Sequence, residues 1–132
     1  MMDKKQAVRL LIIDDEKDFL ATISYWLTSR GYDVIMANGG AEALAKLSQA
    51  AFDIIFLDIV MPRLNGMETL RRLRAMGVKS PVVLLTTTGQ DPASLIDFQA
   101  LGISGVFQKQ GSLAAFAQVL EAALKARPSS NR

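Results

Sequence analysis

The chain has 132 residues, of which 50% are hydrophobic and 21% are charged; this composition is typical of one compact domain and excludes a largely disordered chain. Its 15 basic and 13 acidic residues nearly balance, so no basic surface for direct nucleic-acid binding is expected. It contains no cysteine and no histidine, which excludes disulfides, zinc and haem ligation, and Cys or Ser-His nucleophilic catalysis. The remaining chemistry must use carboxylates, hydroxyls, lysine and hard cations.

Short apolar runs typical of buried strands alternate with helical stripes along the chain. In chain order, the patterns predict a strand over 8–13, a helix over 19–27, a strand over 32–36, a helix over 43–47, a strand over 53–57, a helix over 67–73, a strand over 81–85, a helix over 95–101, a strand over 106–107 and a helix over 113–124. Gly31 and Gly77 are predicted to end the first and third helices, Asp91 and Pro92 to start the fourth, and Ser112 to start the fifth.

Five strands that alternate with five helices through short loops predict an α/β fold, a doubly wound parallel sheet covered on both faces. No apolar stretch approaches 18 residues, and the first residues carry no signal-peptide pattern. We therefore expect a cytoplasmic protein that makes no membrane contact.

Polar side chains follow four of the predicted strands at the point where each ends. Asp14 and Asp15 follow the first strand, Asp58 the third, Thr86 the fourth and Lys109 the fifth. In such sheets the ligand crevice lies at the carboxyl ends of the strands, so these groups are expected to converge. Three crowded carboxylates repel one another unless a cation or protons intervene, and Mg2+ prefers oxygen ligands. Each acid taken singly is more simply explained as a turn or helix-capping residue, and only their joint occurrence favours a site.

Four segments carry a further signal: the run 11–16 with its acid pair, the D-x-x-M-P-x-x-x-G pattern over 58–66, the strand that ends at Thr86, and the run 102–105 that leads to Lys109. Together they resemble the receiver domain of two-component response regulators. The resemblance covers residues 7–126, between a lead over 1–6 and a polar tail or truncated linker over 127–132. It implies a flavodoxin-like sheet of strand order 2-1-3-4-5.

The resemblance also implies a role for each acid of the site. Asp58 would be the phosphoacceptor, which takes a phosphoryl group from phosphohistidine in a Mg2+-dependent reaction. Asp14, Asp15 and Asp58 would hold Mg2+ directly or through water, together with the main-chain carbonyl of Val60. Such a domain is not an enzyme beyond self-catalysed phosphotransfer and slow autodephosphorylation. The side chains of Val60 and Thr88 would border the approach of the hydrolytic water.

A conformational switch is implied at the other side of the same site. Lys109 would contact a phosphoryl oxygen, Thr86 would move its hydroxyl onto the phosphoryl group, and the main-chain amides of Val60 and Thr87 would cradle the remaining oxygens. The donor would be a sensor histidine kinase or a histidine phosphotransfer protein. The readout surface, near the fourth helix, fifth strand and fifth helix, would contact a downstream protein target or an output domain, and homodimerisation is left open.

Three positions depart from the family pattern. Gln110 follows Lys109 where proline is common, and Thr87 is larger than the usual residue after the switch hydroxyl. Val106 occupies the position of the usual aromatic switch residue, with Phe107 beside it. These departures keep open a degenerate receiver that acts as a phosphorylation-independent interaction module.

Two catalytic or cofactor-binding alternatives are less well supported by the residues. An aspartate-nucleophile phosphatase needs a second acid two residues after the nucleophile, and Val60 stands there. A carrier of flavin mononucleotide needs a hydroxyl-rich phosphate cradle, whereas Asp14 and Asp15 would repel phosphate.

Aromatic and basic residues on two helices admit more than one interpretation. Trp26, beside Tyr25 on the first helix, either packs at the edge of the core or contacts the phosphodonor. Arg71, Arg72 and Arg74 on the third helix are most simply a solvated face.

Overall fold

The structure, a computed structural model, describes residues 7–61, 64–87 and 94–128. The strands are β1 (Arg9–Ile13), β2 (Asp33–Ala37), β3 (Ile54–Asp58), β4 (Val82–Thr86) and β5 (Ile103–Gln108), and the helices are α1 (Lys17–Ser29), α2 (Gly40–Leu47), α3 (Gly66–Ala75), α4 (Ser94–Ala100) and α5 (Leu113–Lys125). Each of the ten predicted elements is confirmed. The predicted start of the fourth helix at Asp91 and Pro92 lies outside the described residues. None of the helices described is long and apolar enough to cross a membrane.

All five strands pair in parallel, in the order β2-β1-β3-β4-β5. The predicted doubly wound sheet and its flavodoxin-like order are therefore confirmed. Every residue of β3 and β4 is buried, because helices cover both faces of the sheet. Apolar and polar residues therefore do not alternate along these two strands.

Two hydrophobic layers, one on each face of the sheet, hold the helices. Leu11 and Ile13 point into the layer formed with α2, α3 and α4, whereas Leu10 and Ile12 point into the layer formed with α1 and α5. Phe116 of α5 lies at the centre of the second layer, where its ring stacks on Phe56 and meets two further aromatic rings edge-on. Successive residues of one strand thus belong to different layers.

The strand ends differ from the prediction by about one residue, and for a common reason. The predictions over 53–57 and 81–85 stop at the last apolar residue, whereas β3 and β4 include Asp58 and Thr86. The backbone ladder continues past the apolar side chains, since Lys109 N donates to Thr86 O at 2.8 Å. Asp58 and Thr86 are consequently the last residues of their strands.

The fifth strand is longer than the pattern predicts, with six residues in place of the two over 106–107. Its first half contains Ser104 and Gly105, which give no apolar pattern. Pairing with β4 holds this half of the strand in place. The pairing includes a register shift, since Val82 faces Ile103 and Val83 faces Gly105.

The helix ends follow the predicted chemistry. Gly31 and Gly77 adopt φ of +94° and +91°, a region that L side chains rarely enter, directly after α1 and α3. Ser112 Oγ accepts a hydrogen bond from Ala115 N at 3.0 Å and Asn65 Oδ1 accepts one from Glu68 N at 2.9 Å. Both side chains therefore cap the helices that follow them.

Arg74 does not belong to a solvated face, so the prediction is wrong for this residue. Its guanidinium donates to the carbonyls of Val78 and Ser80 at 2.9 Å and to those of Leu101 and Gly102 at 3.0 Å. It thereby ties the end of α3 to the turn between α4 and β5. Burial lowers the pKa of its guanidinium from the ordinary value.

The other two arginines of α3 fit the prediction. Arg71 and Arg72 are exposed and approach Glu68 one turn away.

Candidate functional site

The carboxyl ends of β1, β3, β4 and β5 bring the predicted site residues to one edge of the sheet. Asp14, Asp58 and Thr86 are buried, whereas Asp15 is exposed. Carboxylate oxygens of Asp14, Asp15 and Asp58 lie within 4.8 Å of one another. The predicted convergence of three acids from two strand ends is therefore observed.

Asp14 is held by its own turn. Its amide donates to Ala37 O at 3.1 Å, and its Oδ1 accepts from Glu16 N at 2.9 Å. Its Oδ2 is buried and receives no aligned hydrogen bond, although Lys109 Nζ lies 2.8 Å away as an ion-pair partner. A buried carboxylate oxygen with spare lone pairs beside two other acids suits a hard divalent cation.

Asp58 sits in a tightly closed backbone bend. Its Oδ1 accepts from Val60 N at 3.2 Å, and Gly66 N donates to Ile59 O at 3.0 Å. A Cβ at Gly66 would lie 2.5 Å from Asp58 O and 2.8 Å from Ile59 Cα, which explains why glycine begins α3. The bend presents the carboxylate at the edge of the sheet.

The pKa of Asp58 is raised from 3.8 to about 8, first because burial disfavours its charged form and next because Asp14 lies beside it. The hydrogen bond from Val60 N acts in the opposite direction. Asp58 therefore keeps a proton near neutral pH unless positive charge enters the cluster. This electrostatic tension is what a bound cation would relieve.

Lys109 enters the cluster from the end of β5. Its side chain is only 7% exposed, and its Nζ lies 2.8 Å from Asp14 Oδ2 and 3.7 Å from Asp58 Oδ2. It also contacts Glu16 Oε1, and the ring centroid of Phe19 lies 5.0 Å from its Nζ. The ammonium is thus enclosed by carboxylates and one aromatic face.

Glu16 is a site residue that the sequence pattern does not identify, because an acid at the start of a predicted helix is more simply explained as a cap. It does occupy the N-cap position of α1, but its side chain makes no capping bond. Glutamate is not among the favoured N-cap residues. That mismatch, next to an acid pair, was the signal available in the sequence.

Thr86 and Thr87 lie where the strand pattern places them. Thr86 is buried at the end of β4 and its carbonyl accepts from Lys109 N, whereas Thr87 is exposed. The side chain of Val60 is 61% exposed, and Thr88 lies outside the described residues. The roles of the Val60 carbonyl, the Thr86 hydroxyl and the Thr87 amide remain predictions.

Val106 and Phe107 point to opposite faces of β5. Phe107 is buried in the layer with α1 and α5, where its ring meets Phe116 edge-on at 5.0 Å. Val106 pairs with Leu84 on the other face and is partly exposed. Of the two predicted switch neighbours, only Val106 therefore presents a surface that a partner could reach.

Trp26 packs at the edge of the core. Its ring meets Phe116 edge-on at 5.9 Å, and the guanidinium of Arg30 lies 4.4 Å from its ring. The neighbouring Tyr25 is 80% exposed. Packing is thus observed for Trp26, and its contact with a phosphodonor remains a prediction.

Comparison with known proteins gives consistent matches. A family model described as the response regulator receiver domain matches residues 10–121. The transcriptional regulatory protein CpxR homolog of Haemophilus influenzae is 41% identical over 83 residues, which are 63% of this chain and 36% of that protein. The protein PhoP of Bacillus subtilis, a transcriptional regulatory protein of alkaline phosphatase synthesis, is 36% identical over 63% of this chain and 35% of its own length. The chain thus spans about a third of the length of these curated relatives.

Solved structures match over nearly the whole chain. The chemotaxis protein CheY4 of Vibrio cholerae has a TM-score of 0.83 and 30% identity, over 89% of this chain and 99% of that one. FixJ-N has a TM-score of 0.83 at 22% identity, over 98% of this chain and 100% of that one, and shows the shared fold alone.

Proposed function

Because the chain belongs to the response regulator receiver domain family, we propose that Asp58 accepts a phosphoryl group from the phosphohistidine of a sensor kinase or phosphotransfer protein. The observation that carries this proposal is one buried carboxylate, Asp58, placed beside Asp14 and 3.7 Å from the ammonium of Lys109. The domain then acts as a signalling switch, and its only chemistry is its own phosphorylation and slow dephosphorylation.

The transfer of the phosphoryl group needs no reactant besides Asp58 and the phosphohistidine. A carboxylate oxygen of Asp58 attacks phosphorus as the P–N bond breaks, and the histidine nitrogen leaves with the electron pair. Asp58 must be ionised to attack, so the proton that its raised pKa retains has to leave first. In-line displacement at phosphorus depends mainly on positioning and on neutralised charge. The backbone bend around Asp58 supplies the positioning.

Asp14, Asp15 and Asp58 fit a bound Mg2+, since their oxygens lie close together and Asp14 Oδ2 lacks an aligned hydrogen bond. We assign these three residues, with the main-chain carbonyl of Val60, as its protein ligands. When bound, Mg2+ supplies positive charge that favours ionised Asp58 and stabilises the charge on the transferred oxygens. Lys109, whose Nζ lies 2.8 Å from Asp14 Oδ2, supplies a further positive charge at the site.

Thr86 and Lys109 convert phosphorylation into a change of shape. A hydroxyl that donates to a phosphoryl oxygen makes a charge-assisted bond of roughly 1.5–3 kcal/mol. That bond exists in only one state, so it shifts a two-state equilibrium about tenfold or more. The main-chain amides of Val60 and Thr87 would hold the remaining oxygens. The surface of α4, β5 and α5 then presents the change to a protein target or an output domain.

The same geometry favours a moderately long-lived phosphoryl group. Val60, two residues after the acceptor, is apolar and largely exposed, so it offers no group that orients an attacking water. A cytoplasmic location is part of this proposal.

Intact-mass spectrometry after incubation with acetyl phosphate and Mg2+ tests the proposal. The chain should gain one phosphoryl unit, and it should gain none when Mg2+ is chelated before acetyl phosphate is added or when Asp58 is replaced in Asp58→Asn. Asp18→Asn, a matched change of one exposed acid in the first turn of α1, should keep the gain. An unmodified wild-type mass would refute the proposal and favour a phosphorylation-independent interaction module. A gain that survives in Asp58→Asn would refute Asp58 as the acceptor.

A further inference from the structure

Glu16 lies outside the three-acid cluster and yet contacts the lysine that serves it. Its Oε1 contacts Lys109 Nζ across 93 positions of the chain. Its side chain is 59% exposed, whereas that of Lys109 is 7% exposed. Among the ion-pair partners of Lys109 in the described residues, Glu16 is therefore the one that faces solvent.

The backbone around Glu16 fixes this contact. Glu16 N donates to Asp14 Oδ1 at 2.9 Å, and Glu16 O accepts from Leu20 N at 3.1 Å. The residue is thus anchored on both sides, by the acid pair before it and by the first turn of α1 after it. Its side chain leaves the helix uncapped and reaches β5 instead. The side chain of a capping residue would instead accept a hydrogen bond from a backbone N–H in the first turn of its own helix.

We propose that Glu16 is a positioning residue that acts as the resting counter-ion of Lys109, and this inference rests on the proposed function. In the unphosphorylated state Glu16, Asp14 and the face of Phe19 share the ammonium. A phosphoryl group on Asp58 must recruit that ammonium away from Glu16, and it also meets the negative charge of Glu16 at close range. Both effects oppose phosphoryl binding, so Glu16 biases the switch toward its resting state.

The expected effect is small and has a definite sign. A partly exposed ion pair contributes only modestly, so Glu16→Gln should tighten binding of beryllofluoride, a phosphoryl mimic, by two- to fivefold at saturating Mg2+. Glu16→Asp retains the charge on a shorter side chain and should tighten it as well, because the contact with Lys109 is lost. Asp18→Asn removes one charge from the same helix turn and should leave the affinity within about 1.5-fold of wild type.

Two measurements on the full chain test this. The first is beryllofluoride titration followed by the amide resonances of Val60 and Thr87. The second is the side-chain ammonium resonance of Lys109 in protein without any phosphoryl mimic, where Glu16→Gln and Glu16→Asp should speed proton exchange and Asp18→Asn should not. The second readout requires no phosphorylation, so it tests the Glu16 contact even if Asp58 accepts no phosphoryl group.

The outcomes separate the assignments. Equal affinities for Glu16→Gln and Asp18→Asn would reduce Glu16 to a general surface charge and overturn the proposal. Weaker beryllofluoride binding in Glu16→Gln would also overturn it, because Glu16 would then prepare Lys109 for the phosphoryl group instead of competing with it. Unchanged exchange at the Lys109 ammonium in both Glu16 variants would refute the contact itself.

Discussion

Replacement of Arg74 by methionine removes four charge-assisted hydrogen bonds and keeps an unbranched apolar stem in place of the arginine's aliphatic part. The four acceptors are main-chain carbonyls at 2.9–3.0 Å, two in the segment between α3 and β4 and two in the turn between α4 and β5. The perturbation is therefore confined to one donor group and the carbonyls that it serves.

The magnitude follows from how much of each bond water can replace. A hydrogen bond from a charged group contributes roughly 1.5–3 kcal/mol, and less where the acceptor can be rehydrated. Gly102 is exposed, whereas Val78, Ser80 and Leu101 are partly buried, so water replaces some of the lost bonds. We expect Arg74→Met to lower the free energy of unfolding by about 2–4 kcal/mol, and the melting temperature by roughly 10 °C for a domain of this size.

Urea denaturation of wild type, Arg74→Met and Arg72→Met provides the assay. Arg72 lies on the same helix, and the partner of its guanidinium among the described residues is the partly exposed Glu68, at 3.0 Å. Its replacement should change the free energy of unfolding by less than about 0.5 kcal/mol. If Arg74→Met and Arg72→Met were equally stable, the reasoning from buried carbonyls would be wrong.

Two further predictions concern Asp58 and Trp26. Without Mg2+, the folded chain holds a proton on Asp58 that the unfolded chain releases. The free energy of unfolding should therefore decrease as the pH rises from about 4 to about 8. Denaturation at several pH values should show a flatter decrease for Asp58→Asn than for wild type. A steeper decline in the variant would contradict the raised pKa. Trp26→Ala should lower stability by about 1–3 kcal/mol, because its ring packs on Phe116. Unchanged stability with slower phosphotransfer from the kinase would instead assign Trp26 to donor contact.

The fold was predictable because apolar runs typical of strands and apolar stripes typical of helices follow one another regularly along this chain. The four strands with continuous apolar runs were found to within a residue or two, whereas most of β5 was not. Its first half is held by pairing with β4 around a register shift, and such pairing leaves no local pattern in residues such as Ser104 and Gly105. Hydrogen bonds to a distant strand, and not the local side chains, therefore make the first half of β5 a strand.

The acids of the site were predictable because each ends a buried strand, and strand ends meet in a parallel sheet. Glu16 and Arg74 were not, for a different reason. Arg74 lies on α3, where a solvated face is the ordinary interpretation of a charged residue. Glu16 stands at the N-cap position of α1, where capping is the ordinary interpretation. Their side chains contact partners 93 and 27 or 28 positions away, which only the packed structure brings within reach.

The main chains of Thr86 and Lys109, the two residues proposed to contact the phosphoryl group, are joined by the hydrogen bond from Lys109 N to Thr86 O. Side-chain replacement leaves that bond intact, so a conventional mutational scan of either residue would not register it. Any displacement of the end of β4 should carry the lysine with it, and an ester in place of the amide at position 109 would uncouple the pair while every side chain stayed the same.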